Sequence, residues 1–363
     1  MYDALFINPM DYIKMLTGIK NDAPHFASYY NHMNYWFRIY ESNIYNDSHT
    51  IIRFNALIRL FSFGYYNVHT VFMCFFSLTG LVALYKFAVQ FLQKQKKELV
   101  FAVFLMPSVL FWGSGVLKEG ILLFGMGLLI YFFDQLVRKK QIIISLIFAL
   151  SSSILLAYTK FYVIITLIPL LISYFWVFKT SEKFILVKYL SVCCLYFIIG
   201  LLIPFIFPDY NFLEIIAQKQ HDFINLSQFV KSGSVIKSEY LEPNLWSFII
   251  NSPVAFANTL LRPFFFEVKS VFMALASFEN LIVIFFGLIC IFFFKRKIEN
   301  KNFLMFSVFF VLIIFTLTGL ITPVIGAIVR YKIPALPFLI ITFIILTDKE
   351  KLLKKFKFLS KIL

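Results

Sequence analysis

The sequence predicts an all-α integral membrane protein of about nine transmembrane helices, and three observations predict it. The apolar residues gather in runs long enough to cross a bilayer. The basic residues crowd into alternate connections between those runs. The two longest connections are aromatic and amphipathic.

Of 363 residues, 60% are hydrophobic, and the mean hydropathy is +0.82. A soluble domain averages nearer half apolar, so this chain carries more Phe, Ile and Leu than a single water-excluding core can absorb. Phe occurs 49 times and Tyr 19 times, which supplies aromatic packing within the spans and tyrosines for the interfacial belts.

A window of about 19 residues finds candidate spans at 68–90, 98–115, 117–134, 141–158, 161–178, 187–207, 279–294, 303–321 and 333–347. Several are at the short end of the ~17–25 residues that a crossing helix needs. The second contains Pro107 and ends in Trp112-Gly113-Ser114-Gly115, a composition that predicts a broken or re-entrant segment. The chain therefore divides into an external segment 1–67, spans over 68–207, an external loop 208–278, spans over 279–347 and a basic tail 348–363.

The net charge of +15 invites a nucleic-acid reading, and its distribution excludes it. The connections after the first, third, fifth, seventh and ninth spans hold 20 of the 34 Lys and Arg and six of the 19 acids. One face is therefore near +14 and the other near +1, and the positive-inside rule puts the basic face in the cytoplasm. A multi-pass protein of a cell inner membrane is the expected location. This orientation places residues 1–67 outside with no helix ahead of them, so the reading calls for a first helix missing from this chain. Met1-Tyr2-Asp3 has no signal-peptide character.

Chemistry is expected on the external face. Asn21-Asp22-Ala23-Pro24-His25, with Asp3, Asp11 and Asp47 in the same segment, offers carboxylates that could serve as general base; turn or cap aspartates are the alternative. Around them lie Tyr29, Tyr30, Tyr35, Trp36, Phe37, Tyr40 and Tyr45. Ser114-Gly115-Val116-Leu117-Lys118-Glu119 sets a cation and an anion at the outer mouth between two spans, either facing a polar cavity or starting a helix. Arg262 ahead of Pro263-Phe264-Phe265-Phe266-Glu267 suits a phosphate, a lipid headgroup or Glu267 itself. Arg330 and Lys332, before the last span, run against the charge trend of their face; snorkelling to headgroups is the alternative, and a function is favoured for Arg330. Arg53 and Arg59 stand six apart, too far around a helix for both to face one site; His69 could titrate near neutral pH, though a lone His at a helix entry is more often an interfacial hydrogen-bonder.

Cys74, Cys193, Cys194 and Cys290 fall in apolar runs without zinc or disulfide spacing. No cofactor is expected and no divalent cation is indicated. Phosphate-binding loops, dinucleotide fingerprints and hydrolase elbows are missing from the sequence.

In pieces the chain resembles bacterial polytopic membrane glycosyltransferases of the GT-C type. Those pieces are Asn21-Asp22, the stretch Pro107 to Glu119, Leu261-Arg262-Pro263-Phe264 with Phe278-Glu279-Asn280, and Val329-Arg330-Tyr331 with Pro334 and Pro337. They cover about a third of the chain. The resemblance implies a polyprenyl-phosphate-linked sugar as donor, a glycan or lipid acceptor and chemistry on the outer face.

It further implies Asp22 as base, with Asp3 and Glu119 behind it. Arg330 and Arg262 would meet the leaving phosphate with help from Lys118; His25, Arg53 and Lys332 are further substrate-binding candidates. Lys118-Glu119 stands where the family has Lys-Asp. An O-antigen-type polymerase or ligase that uses polyprenyl-diphosphate glycans is the neighbouring reading. A lipid-linked glycan transporter without catalysis is the third, disfavoured by the lack of an internal repeat.

Overall fold

The structure is a computed structural model that describes residues 1–37, 46–236 and 238–356. Tyr40, Tyr45 and the last two lysines of the tail, Lys357 and Lys361, lie outside these. The described chain is helical and has no strand beyond two isolated bridges.

Four helices form an N-terminal cap: α1 (Ala4–Ile7), α2 (Pro9–Thr17), α3 (Ala27–Tyr30) and α4 (Ser48–Ser62). Tyr12, Met15, Phe26, Tyr30, Trp36 and Ala56 close a small core among them. The bundle follows with α5 (Tyr66–Val89), α6 (Lys96–Phe104), α7 (Pro107–Ser114), α8 (Lys118–Val137), α9 (Ile142–Thr159), α10 (Phe161–Lys179) and α11 (Ile185–Ile206). Two further helices, α12 (Phe212–Phe229) and α13 (Leu245–Leu261), precede α14 (Val271–Phe292), α15 (Lys301–Ile321), α16 (Ile325–Tyr331), α17 (Leu336–Leu346) and a short α18 (Lys349–Lys355).

Among the described residues, seven helices are long and apolar enough to cross a membrane, and two bent pairs, each taken as one span, bring the number to nine. Each coincides with one of the nine apolar runs. The first bent pair, Gln93–Phe104 with Pro107–Ser114, turns by 51°. Pro107 lacks an N–H and holds Met106 in an extended conformation (φ −67°, ψ 123°), so the helix cannot run through it. The second, Ile325–Tyr331 with Leu336–Leu346, turns by 65° where Pro334 and Pro337 interrupt the backbone ladder.

Burial grades from the centre outward. Over the apolar stretch of α8, 67% of residues are buried, against 6% for α11, whose exposed Leu, Ile and Phe side chains need hydrocarbon as solvent. The centre is an edge-to-face lattice in which Phe87 meets Tyr174, Phe303 and Phe306, and Phe338 meets Phe310. Small residues set the closest helix approach: a Cβ on Gly127 would collide with the Gly80 carbonyl, so α5 and α8 touch backbone to backbone.

The α13 helix lies antiparallel along the outer half of α15. Thr259 Oγ1 donates to Phe315 O at 2.8 Å, and Gly319 has room only for hydrogen against the Ala255 carbonyl. Ile249, Ile250 and Val254 stay exposed on its other side. Leu261 thus lies ~12 Å below that end of α15 at 1.5 Å of rise per residue.

The basic connections are joined at one end of the bundle. Arg138 stacks on Phe91 and Phe178, Asn300 Nδ2 donates to Phe91 O at 2.7 Å, and Lys349 pairs with Glu98. The opposite end carries the N-terminal cap, α12 and a second set of charges.

Candidate functional site at the outer mouth

Lys118 is the first residue of α8, where the positive end of the helix dipole disfavours a cation. Asp47, just ahead of α4, compensates for this with an ion pair of 2.8 Å. Lys160 is the one-residue link between two apolar spans and is 6% exposed. It approaches the same Asp47 oxygen at 3.6 Å and lies 4.3 Å above the Tyr331 ring, a cation–π contact strengthened by desolvation. Burial would raise the Asp47 carboxyl, but Lys160 and Lys118 outweigh it, with Lys219 of α12 adding to their field, and hold it well below the usual carboxylate range.

Glu119, one residue into α8 from Lys118, is fully buried. Its Oε2 accepts from Arg330 Nη2 at 2.6 Å, and its place in the first turn suits the helix dipole. Arg330 lies in the last turn of α16, with its guanidinium 5.5 Å from the Trp112 ring. Tyr162 donates to the Tyr331 carbonyl at 3.4 Å. Glu119 Oε1 and Arg330 Nε are buried without a protein partner, an arrangement whose cost marks a site built to meet something polar.

A second polar group continues the seam inward from Arg330. Lys332, 2% exposed, donates to Asn280 Oδ1 at 2.6 Å. Asn280 Nδ2 donates to the Leu261 and Pro263 carbonyls at 3.1 and 3.3 Å. Neighbouring Glu279 accepts from the Ser108 N–H at the start of α7, and its Oε1 has no partner. Both broken spans therefore contribute to one polar seam: α7 caps Glu279 and packs Trp112 on Arg330, while the α16–α17 bend supplies Lys332.

Of the residues singled out in the sequence, Glu119, Lys118, Arg330 and Lys332 come together in this seam. Arg262 makes a local ion pair with Glu267 at 2.8 Å, in the turn whose carbonyls Asn280 holds. Asp22, Asp3, His25 and Arg53 belong to the N-terminal cap. Asp22 is exposed on a turn. Asp3 is exposed ahead of α1 without a capping bond. His25 meets Asp11 at 3.3 Å, and Arg53 Nε donates to Met15 O at 3.1 Å. Among the described residues, no group of three or more His, Cys, Asp or Glu side chains is placed to hold a metal ion.

Lys160 and Tyr162 were not among the sequence candidates, although a signal existed. Lys160 is a single lysine between two long apolar runs, on the face where lysines are few. In the sequence Asp47 is one of several acids in its segment. Its pairing with partners 71 and 113 positions away has no local signature.

The fold and this seam define an all-α multi-pass membrane protein with an ionic centre at the end of the bundle opposite the basic connections. No family model matches the chain, and no curated protein or solved structure matches it.

Proposed function

We propose that the chain is a membrane transferase that moves a sugar from a polyprenyl-phosphate carrier to a glycan or lipid-linked acceptor at the outer face of a cell inner membrane. The observation that carries this reading is the convergence of Lys118, Lys160 and Arg330 on only two carboxylates, Asp47 and Glu119. A cationic excess in a poorly solvated mouth suits a lipid phosphate and stabilises the charge that grows as it leaves.

In the proposed step the acceptor oxygen bonds to the anomeric carbon. The carbon–oxygen bond to phosphate breaks, and its electron pair leaves with the phosphate. The acceptor proton passes to Glu119 Oε1. Glu119 takes the role of base that the sequence reading gave first to Asp22, because it stands beside the cations and Asp22 is on an exposed turn. A diphosphate carrier, as in glycan polymerases and ligases, would draw further on Lys160.

The transporter reading gains support from one observation: both broken spans bend at buried Glu279 and Lys332, and discontinuous helices around ionisable residues are a transporter device. Proteoliposomes loaded with a labelled polyprenyl-phosphate sugar separate the readings. A new glycosidic bond, lost on Arg330→Gln and Lys160→Gln, is the expected result. Label that crosses the bilayer without bond formation would replace the transferase reading with transport.

A further inference from the structure

A groove of about 590 Å³ runs between the N-terminal cap and α9. Its lower wall is Ser151, Ile154, Leu155 and Tyr158, an i, i+3, i+4, i+7 stripe along one face of a membrane-spanning helix. Ile154 and Tyr158 are more than half exposed on that face, so the wall is in contact with hydrocarbon wherever the helix is in a bilayer. The upper wall is polar: Thr50 and Arg53 of α4, and Gly18 at the end of α2.

Arg53 is placed with care. Gly18 has φ +76°, and a Cβ there would come within 2.8 Å of Arg53 Nη2. Only a glycine lets the guanidinium lie across the end of α2. The Nε–H bond to Met15 O and the Trp36 ring at 5.8 Å hold it there. Closing the last turn of α2 is the purely structural role for this arginine. It does not explain the groove, in which the guanidinium overhangs an apolar stripe.

The groove begins where the ionic centre ends. Thr50 Oγ1 donates to Tyr158 O at 2.7 Å, three residues after Asp47 on one chain segment and two before Lys160 on the other. A cation above, a hydrocarbon-lined slope below and a volume in the range of small-ligand sites match one chemistry.

We propose that this groove is a binding site for a phosphate-headed lipid. The phosphate lies against Arg53, where a guanidinium can hold it bidentately, and one hydrocarbon chain follows the stripe from Tyr158 towards Ser151. The inference does not rest on the transferase reading: a protein without transfer activity can hold this lipid, and a transferase can lack it.

The test is native mass spectrometry of the delipidated full chain released from detergent micelles. The probes are dioleoyl phosphatidic acid, dioleoylglycerol (the same chains without phosphate) and inorganic phosphate. One phosphatidic acid should be retained per chain, at least tenfold more tightly than dioleoylglycerol, and inorganic phosphate should not displace it. Arg53→Gln removes the cation and Ile154→Trp fills the slope; each should lower retention at least tenfold. Ile198→Trp, on the exposed face of α11, should leave it unchanged, and all variants should elute as the wild type does.

Equal retention by wild type and by whichever of the two groove variants folds would overturn the proposal. So would equal binding of dioleoylglycerol, or displacement by inorganic phosphate alone. Loss of retention with glycan transfer unaffected would leave the lipid site standing and separate it from the reaction.

Discussion

The two ends of the bundle both bury carboxylates beside cations, yet they satisfy them differently. At the basic end Asp134 is fully buried and completely used. Arg138 Nε donates to both of its oxygens, at 2.9 and 2.8 Å, and the Tyr174 hydroxyl donates to Oδ1. At the outer end Glu119 is as deeply buried but offers only Oε2 to Arg330, and Glu279 repeats the pattern with Ser108. A buried carboxylate with all its bonds made is a fastener. One with an oxygen left over, next to a cation with an N–H left over, is set to receive something.

That contrast orders the expected effects of substitution. The largest is on reaction rate at the outer end. Glu119→Gln keeps shape and removes the base, so transfer should fall by ~10²–10⁴-fold, the usual weight of a positioned general base. Glu119→Gln also leaves Arg330 without its anion, so transfer is compared per folded molecule. The largest effect on stability belongs to the other end. Asp134→Ala strands Arg138 and the Tyr174 hydroxyl, and breaking a buried pair costs ~3–5 kcal/mol; thermal unfolding in micelles should show it, while the surviving folded fraction keeps its activity.

A smaller effect is expected between the two ends. Gly127→Ala forces α5 away from α8 and should cost ~1–3 kcal/mol, as overpacking does, in the same unfolding assay. Informative through its pH dependence is Asp47→Asn. Asp47 is depressed in the folded state by Lys160 and Lys118 against the opposing pull of burial. Its stabilisation is therefore fully present above the unfolded-state value of ~3.9 and is lost as pH falls below that towards the lower folded value. The gap in melting temperature between wild type and Asp47→Asn should stay constant from about pH 5 to 8 and narrow below about pH 4. A gap that widened on acidification would mean that Asp47 is not held ionised by its lysines.

The same contrast explains what could be read from the sequence. Each span is a local fact of composition, so all nine runs and even the break at Pro107 are visible without a structure. The polarity of the bundle is visible too, since lysines in loops report it one loop at a time. The sites are another matter. Asn21-Asp22-Ala23-Pro24 looks like a catalytic loop and forms an exposed turn, because a single aspartate carries no record of what lies beside it.

Glu119 and Arg330, 211 residues apart, meet only because two broken spans pack together. The bend at Pro334 is foreseeable from the prolines, but its packing against Trp112 is not. Lys160 was the most legible of the missed residues: a lysine that stays between two apolar runs needs a partner.

The measurement that tests the account most directly is glycan transfer by Glu119→Gln and Asp134→Asn, assayed side by side in proteoliposomes with a polyprenyl-phosphate sugar and normalised to folded protein. The account predicts that Glu119→Gln lowers transfer per folded molecule by ~10²–10⁴-fold, and that Asp134→Asn loses stability without loss of transfer per folded molecule. Transfer that persists in Glu119→Gln, or that is lost equally in both variants, would contradict it.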